Sequence, residues 1–358
     1  MRPLHFVGDI AFTEASSVAQ KGWISGDVVS HLRTGLGIAN LECVLGGPAA
    51  PENTLVVRGP AAAAGWLASA GFGLVTLANN HITDLGAEGL ESTRAALDAA
   101  KIAHVGCGLS EREARAPRVL AHDGVTLGVI GRLDARSFSN PERCIARGPA
   151  AGAAALDVDE AVATAHRMRA DGADLTICLL HWGIQGIPLL PAWLIEPMAR
   201  LSAAFDVVAG THAHILQPAK NLGGRVQLAG MGNFHFAALR HAGKTHYTEA
   251  GIDRVAAIFS VNREAASGDL TLDVHPTTQS MDHNRVELLD GATARAVRAA
   301  VLSAPQNARL AFNAAWRAKE LSALSSYAWR ERRTLARRHL NAELPKKLLR
   351  ALRTPKSR

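Results

Sequence analysis

The chain of 358 residues has few cysteines and no long apolar run. Its four cysteines are scattered, without the C-x-x-C spacing of zinc or redox sites, which predicts small, reduced core residues. No apolar run approaches the roughly 18 residues of a membrane-spanning helix. The first residues contain no charged segment, long apolar segment or cleavage site, so we expect no secretory signal and a cytoplasmic protein.

The sequence also lacks internal repeats, and its length suits one large domain with an appendage or two modest domains. Hydrophobic residues make up 48% of the chain, which supports a sizeable core. Residues 291–358 contain 16 Lys and Arg against 3 Glu, a local charge of +13, whereas the remainder has 23 basic and 29 acidic residues. We therefore predict a main domain over residues 1–290 and a basic helical extension over residues 291–358.

Short apolar segments alternate with helical ones, which predicts an α/β fold. The predicted strands share an apolar, strand-length character and cover residues 4–7, 37–39, 74–78, 125–130, 175–180, 207–209, 226–229 and 255–261. Val158–Ala170 is predicted as a helix, with Asp157 as its N-cap and Gly172 after its end. Two loops, residues 46–61 and 138–152, follow strand ends and are expected at the rim of a site.

Polar side chains follow five of the predicted strands. The most informative segment is residues 77–86, because it places amide, imidazole and carboxylate groups between a strand and the next helix. The other four are Gly8-Asp9, Asn40-Leu41-Glu42, His181-Trp182-Gly183 and the segment from Gly210 to His214. Open α/β sheets bind ligands at such strand ends, and mixed imidazole, carboxylate and amide sets suit divalent ions. If the strands are neighbours, these groups converge on one metal site.

In these motifs the chain resembles the bacterial capsule-synthesis CapA group, also called the poly-gamma-glutamate-synthesis group, within the calcineurin-like metallophosphoesterases. The matching segments are Gly8-Asp9, Asn40-Leu41-Glu42, Ala78 to His81 with Asp84 and Gly86, Leu180 to Gly183, residues 210–218 and Gly232-Asn233-Phe234. They follow the family's order over roughly residues 1–260. The resemblance implies a calcineurin-like four-layer α/β/β/α sandwich, and the basic helical extension lies outside it.

The resemblance also implies a role for each matched side chain. The implied ligands of one or two divalent ions, Mn, Fe or Zn, are Asp9, Glu42, Asn80, His181, His212 and His214. His81 is the implied catalytic residue at the departing or attacking oxygen. Asp84, three residues later, either orients the His81 imidazole or caps the following helix. Calcineurin-like enzymes usually have Asp-x-His at the first motif, whereas this chain has Ala11 in place of that histidine.

Three further residues are assigned to the surroundings of the ligands, with substrate binding as their predicted role. Asn40 is expected there as a turn residue or a support for the ligands. Trp182 either forms an apolar wall of the site or packs in the core. Asn233 follows Gly232 and either contacts substrate or forms a simple turn.

The implied function is metal-dependent hydrolysis of a phosphoester, in a small molecule or at a polymer end, linked to capsule, surface-polysaccharide or poly-gamma-glutamate synthesis. The alternative is a non-catalytic assembly factor with a structural metal, which Ala11 favours. The basic extension has Phe312, Trp316 and Tyr327 on one helical face. It is expected to bind the anionic inner face of the membrane or capsule-assembly proteins. The alternative is that this face packs against the main domain. Nucleic-acid binding rests on charge alone, because no RNA- or DNA-binding motif is present.

Overall fold

A computed structural model describes residues 1–14, 22–50, 55–237, 239–241, 244–247, 254–280 and 285–303. Most of the predicted basic extension, including Phe312, Trp316 and Tyr327, lies outside these residues. Within them, no helix is long and apolar enough to span a membrane.

The strands and helices alternate along the chain, as the sequence predicts. The strands are β1 (Leu4–Ala11), β2 (Leu36–Leu41), β3 (Val44–Leu45), β4 (Arg58–Gly59), β5 (Phe72–Thr76), β6 (Ala103–Val105), β7 (Cys107–Gly108), β8 (Arg118–His122), β9 (Val125–Leu133), β10 (Gly152–Ala153), β11 (Leu175–His181), β12 (Val207–Thr211), β13 (Ala219–Asn221), β14 (Val226–Leu228), β15 (Asn233–Phe236), β16 (Leu239–His241), β17 (Lys244–Tyr247), β18 (Val255–Arg263), β19 (Leu270–Gln279) and β20 (Val286–Leu288). The helices are α1 (Gly26–Leu32), α2 (Ala63–Ala70), α3 (Gly86–Ala99), α4 (Glu111–Arg115), α5 (Val158–Ala170), α6 (Ala192–Ala204) and α7 (Gly291–Leu302).

Two larger sheets form the framework. The first has the order β20-β19-β18-β1-β2-β5-β6, and β15 also pairs with β1. Its strands β1, β2, β5 and β6 are parallel, so their carboxyl ends lie at one edge. The second sheet has the order β13-β14-β12-β11-β9-β8, and its central strands β14, β12, β11 and β9 are parallel. Each sheet therefore offers a row of strand ends on which polar residues can meet.

The two sheets pack face to face, and helices cover their outer faces. One core cluster joins Phe6 and Ile38 of the first sheet to Val129 and Ile177 of the second. A second cluster joins the other face of the first sheet to α1, α2 and α3, for example through Leu67. A third cluster joins the second sheet to α5 and α6. The layers are therefore helix, sheet, sheet, helix, and the predicted α/β/β/α sandwich is confirmed.

All eight predicted strands are present, and α5 has the predicted bounds. The Asp157 carboxylate accepts a hydrogen bond from Glu160 N at 3.1 Å, as expected of its N-cap. The other twelve strands in the described residues are not among the predicted ones, and the longest of them, β19, contains Pro276, a residue that argues against a strand. The helix α7 begins at Gly291, the first residue of the predicted extension, and Arg298 Nε donates to Val274 O at 2.9 Å.

The four cysteines are buried and free, in agreement with the prediction of reduced core residues. Burial raises the pKa of Cys43, Cys107 and Cys178 to about 12 and that of Cys144 to about 11. Their thiols therefore stay protonated at neutral pH and behave as small apolar groups.

Candidate metal centre

The predicted polar residues converge where the carboxyl ends of the two sheets meet, although Asp9, Asn40 and His181 lie within the last residues of their strands and not after them. The first sheet and its following turns contribute Asp9, Asn40, Glu42, Asn80 and His81, and the second contributes His181, His212 and His214. The two groups are in contact, since His214 Nδ1 lies 3.5 Å from Asp9 Oδ2. The site therefore spans both sheets of the sandwich.

Asp9 is placed by a close backbone approach that requires glycine before it. A Cβ atom on residue 8 would lie 1.7 Å from the carbonyl oxygen of Gly232, so only glycine fits there. Asp9 N donates to that oxygen at 3.0 Å, and Asp9 pairs with Asn233 across β1 and β15. The Gly8-Asp9 motif thus fixes a fully buried carboxylate beside Asn233.

Glu42 is the most unusual group of the site. Its side chain is fully buried, and neither carboxylate oxygen has a hydrogen-bond partner among the described residues. His181 Nε2 lies 3.5 Å and His214 Nε2 3.9 Å from its Oε1. A buried charge without donors is costly unless it is paired or coordinates a metal. These residues therefore fit a divalent cation, which would satisfy the carboxylate.

His181 lies at the end of β11 and is fully buried. Its Nδ1 lies 2.9 Å from Thr211 Oγ1 and 3.2 Å from Asn40 Nδ2, which together fix one edge of the ring. Its Nε2 lies 2.9 Å from Asn80 Oδ1. The ring is therefore held with Nε2 directed toward the Asn80 and Glu42 oxygens.

His212 and His214 both have left-handed backbone conformations, with φ of 82° and 57°. Residues other than glycine adopt this region at a cost of about 1 to 3 kcal/mol each, and such residues cluster at functional sites. His212 N donates to Asp9 Oδ2 at 3.1 Å. His214 Nδ1 lies 2.8 Å from Asn233 Oδ1, which suits the carbonyl partner that orients ligating histidines.

The possible ligand atoms form two groups that share Glu42. Asp9, Glu42 and His181 form one group, in which the ligand atoms lie within 4.8 Å of one another. Glu42, His212 and His214 form the other, and the described part of the chain contains no further group of this kind. Glu42 is therefore the one residue common to both groups.

The protonation states of these groups also suit a cation. Burial raises the pKa of Glu42 well above its usual value, and the neighbouring Asp9 carboxylate adds to the rise. Burial lowers the pKa of His181 well below its usual value, with smaller contributions from His212 and His214. The neutral imidazole is the form that binds metal, and a cation favours the ionised carboxylate.

His81 and Asp84 form a pair beside the ligand groups. His81 Nδ1 lies 2.9 Å from Asp84 Oδ2, and the two side chains are 24% and 17% exposed. The Asp84 carboxylate also accepts from Val57 N at 2.9 Å, which places this residue of the predicted rim loop at the site. The helix α3 has Leu85 as its N-cap, without a side-chain bond. Asp84 therefore orients His81 and does not cap the helix.

The three residues predicted to bind substrate occupy supporting positions. Asn40 is fully buried and donates from Nδ2 to Asp9 Oδ1 at 2.7 Å. Asn233 is fully buried against His214. Trp182 is 1% exposed, packs in the core under α6 and donates from Nε1 to Ala229 O at 3.0 Å. Asn40 and Asn233 thus contact the candidate ligands Asp9 and His214, and Trp182 has the core-packing role that was its alternative.

Four residues at the site received no individual role from the sequence. Asn79 links the motifs, because its Nδ2 donates to Asn40 Oδ1 at 3.1 Å and its Oδ1 accepts from His81 N. Thr211 contacts His181, and Gln185 Nε2 lies 3.3 Å from His214 Nε2. The Phe138 ring, from the second predicted rim loop, stacks parallel to His181 with centroids 5.8 Å apart.

The chain thus combines a helix-sheet-sheet-helix sandwich with a group of metal-type side chains at the strand ends. Comparison with known proteins identifies the family. The family model described as bacterial capsule synthesis protein PGA_cap matches residues 3–238. The chain belongs to this family, as its motifs predict.

Two curated relatives illustrate the similarity. The capsule biosynthesis protein CapA of Bacillus anthracis is 28% identical over 172 residues, 47% of this chain and 41% of that protein. A Mycobacterium tuberculosis protein named "probable polyglutamine synthesis accessory protein" is 31% identical over 164 residues, 44% of this chain and 43% of that protein. The matched part spans less than half the length of either relative.

Solved structures give weaker similarity. The calcineurin-like phosphoesterase YfkN of Bacillus subtilis has a TM-score of 0.47 at 14% identity, covering 76% of this chain and 88% of that chain. A hypothetical protein of Thermus thermophilus has a TM-score of 0.46 at 14% identity, covering 80% of this chain and 99% of that chain.

Proposed function

We propose that this chain is a metal-dependent hydrolase that cleaves a phosphoester, in a small molecule or at a polymer end, during capsule, surface-polysaccharide or poly-gamma-glutamate synthesis. The observation that carries the proposal is Glu42, a buried carboxylate that has no hydrogen-bond donor among the described residues and belongs to both groups of possible ligand atoms. The names of the two curated relatives support the polymer context.

The proposed chemistry divides between an ion and the side chains beside it. The residues that would hold a divalent ion are Asp9, Glu42, His181, His212 and His214. Their mixed donor set suits Mn, Fe or Zn, and such an ion would supply Lewis-acid polarisation of a phosphoryl oxygen and activation of water. Asp9, Glu42 and His181 are fully buried, whereas His81 is partly exposed, so substrate approaches from the side of His81. Asp84 holds His81 Nδ1, and we assign the other ring nitrogen to proton transfer at the leaving oxygen.

The test combines metal analysis with an assay on p-nitrophenyl phosphate. Protein purified without chelators should contain one or two equivalents of Mn, Fe or Zn and hydrolyse the ester. His81→Ala should lower turnover by about 10²- to 10⁴-fold, the usual contribution of a general acid, and keep its metal. His212→Ala should lower both. His166→Ala, at an exposed position of α5, is the matched control and should change neither.

The outcomes separate the roles of the histidines. Equal loss of metal in His81→Ala and His212→Ala would show that His81 is a ligand. Full turnover in His81→Ala would remove His81 from the chemistry. Protein that hydrolyses the ester in the presence of excess chelator would contradict the metal-dependent reaction.

A non-catalytic assembly factor with a structural metal is the second candidate. Ala11, at the position of the histidine of Asp-x-His, favours it because one ligand is missing. The complete burial of three ligand-type side chains also resembles closed structural sites. In that case the protein would contain metal and lose thermal stability on chelation, but would not hydrolyse generic phosphoesters.

We also propose that residues 291–358 bring the protein to the anionic inner face of the membrane or to an acidic capsule-assembly partner. Their charge of +13 accompanies Trp316, Tyr327 and Trp329, a combination typical of interfacial segments. The full chain should co-sediment with phosphatidylserine vesicles but not with phosphatidylcholine vesicles, and less at high salt. A chain truncated after Ser303, which keeps α7, should not bind; equal binding by both chains would contradict the membrane proposal.

A further inference from the structure

A second concave region lies on the outer face of the second sheet, between α6 and the hairpin of β13 and β14. Its volume is about 510 Å³, and pockets that bind small molecules typically measure about 300 to 1,000 Å³. Its walls include Ile195 and Met198 from α6 and Leu222 from the hairpin. None of the residues of the candidate metal centre lines it, so it is a separate feature.

The interior of this groove is apolar and its opening is unusually hydrophobic. Ile195 and Leu222, on its two walls, are 45% and 44% exposed. The polar side chains inside the groove have partners within the protein, since Gln227 Nε2 donates to Ser202 Oγ at 3.2 Å. The groove therefore presents an apolar surface to a ligand, and an apolar tail would cover the two exposed side chains.

The charged residues that line the groove have one sign. Its lining includes Lys220 and Arg225 and no carboxylate. Both cations are exposed, and Arg225 Nη1 donates to Ala203 O at 2.8 Å, which holds the guanidinium beside α6. An apolar groove with a cationic rim complements a molecule that joins an apolar tail to an anionic group.

We propose that this groove binds a single-chain amphiphile with an anionic headgroup, of the fatty-acid type. The tail lies between α6 and the hairpin, and the headgroup pairs with Lys220 and Arg225. The charge of the rim argues against the chain's own C-terminal extension as the occupant, because residues 291–358 carry +13.

The test is titration calorimetry of the full chain with dodecanoate, dodecylamine and dodecyl maltoside, each below its micelle-forming concentration. These three probes share the apolar tail and differ in headgroup charge. Dodecanoate should bind with one-to-one stoichiometry and at least tenfold more tightly than dodecylamine, with the maltoside between them. Lys220→Glu combined with Arg225→Glu should reverse the order of dodecanoate and dodecylamine, because it reverses the rim charge.

A pair of tryptophan substitutions on α6 tests the location. Ala199 lines the groove and is exposed, so Ala199→Trp should fill it and lower the affinity for dodecanoate at least tenfold. Ala192 is exposed on the same helix but does not line the groove, so Ala192→Trp should leave the affinity unchanged. Circular dichroism and melting temperature establish that each variant is folded.

Three results would overturn the proposal. They are absence of dodecanoate binding to the full chain, equal affinity for dodecanoate and dodecylamine, and equal effects of Ala199→Trp and Ala192→Trp. None of these results bears on the metal centre, because the groove shares no residue with it.

Discussion

Two clusters of histidines contact the same strand, β1, about 13 Å apart along it if the usual rise of about 3.3 Å per residue holds. One surrounds His5 near the start of β1, and the other adjoins Asp9 near its end. In the first, the His31 ring lies 4.8 Å from that of His5 and 4.2 Å from that of His275. In the second, histidines lie against carboxylates, one of which has no hydrogen-bond donor among the described residues.

The partners of the rings explain the difference. His5 Nδ1 lies 2.9 Å from Ser260 Oγ and His5 Nε2 lies 2.9 Å from Thr34 Oγ1, so hydroxyl groups satisfy both nitrogens. A neutral imidazole paired in this way requires no ion. At the other end, Asp9 and Glu42 place two carboxyl groups together in the interior, where a cation favours the ionised form of both. Carboxylates, rather than the number of histidines, thus distinguish a metal-type site from a packed cluster.

The largest expected difference between the clusters is in metal affinity. Glu42→Gln removes the carboxylate that both ligand groups share, so we expect metal affinity to fall by more than about 100-fold, beyond the effect typical of supporting residues. His31→Asn, in the other cluster, should leave metal content unchanged. Metal analysis after dialysis against a graded series of chelator concentrations measures both. Equal metal loss in the two variants would show that the two histidine clusters do not differ in metal affinity.

The second expected difference is a pH dependence of stability that arises at the His5 cluster. Burial, followed by the charges of His31, His275 and His122, lowers the pKa of His5 to about 4 from the 6.5 of the unfolded chain. Between these values the unfolded chain binds more protons, so His5 destabilises the fold as pH falls below 6.5. From pH 7 to pH 5 this amounts to about 2 kcal/mol.

Urea denaturation at pH 7 and pH 5 measures this effect. His5→Gln cannot gain the proton, so its free energy of unfolding should change less between the two pH values than that of the wild type. The difference of the two changes isolates His5 from the other titrating groups. An identical change in both proteins would show that the His5 cluster does not contribute.

The smallest expected difference concerns the residues that orient the rings. Asn233→Ala removes the amide oxygen 2.8 Å from His214 Nδ1, and supporting residues of this kind typically change metal affinity by about tenfold or more. Ser260→Ala removes the hydroxyl that contacts His5 and His31, and it should not affect metal affinity. Competition with a fluorescent chelator resolves a tenfold change. A similar loss in both variants would indicate a general effect on folding.

Much of the framework could be predicted because the parallel strands are buried on both faces and therefore appear as nearly continuous apolar segments. Asp9, Glu42 and His181 come directly after or at the end of such segments, so their positions followed from the strands. Asp84 left two roles open, because orienting His81 and capping α3 require the same spacing. The path of the backbone before α3 decides between them.

The positions of other residues could not be predicted from the apolar segments. Phe138 belongs to a loop, whose path depends on contacts that periodicity does not report. Trp182 is different, because alternation along β11 places His181 toward the site and its neighbour toward α6. Strict use of that alternation would have assigned Trp182 to the core. The long strand β19 was missed because of Pro276, which the sheet accommodates.

The candidate metal centre takes Asp9 and Glu42 from one sheet and His181, His212 and His214 from the other. An ion bound by residues of both sets would crosslink the two sheets of the sandwich at this edge. Chelation should then loosen the contact between the two sheets as well as empty the site. The amide hydrogen-exchange rates should rise together at the ends of β1 and β11. These strands belong to different sheets, and both would lose the crosslink that the ion supplies.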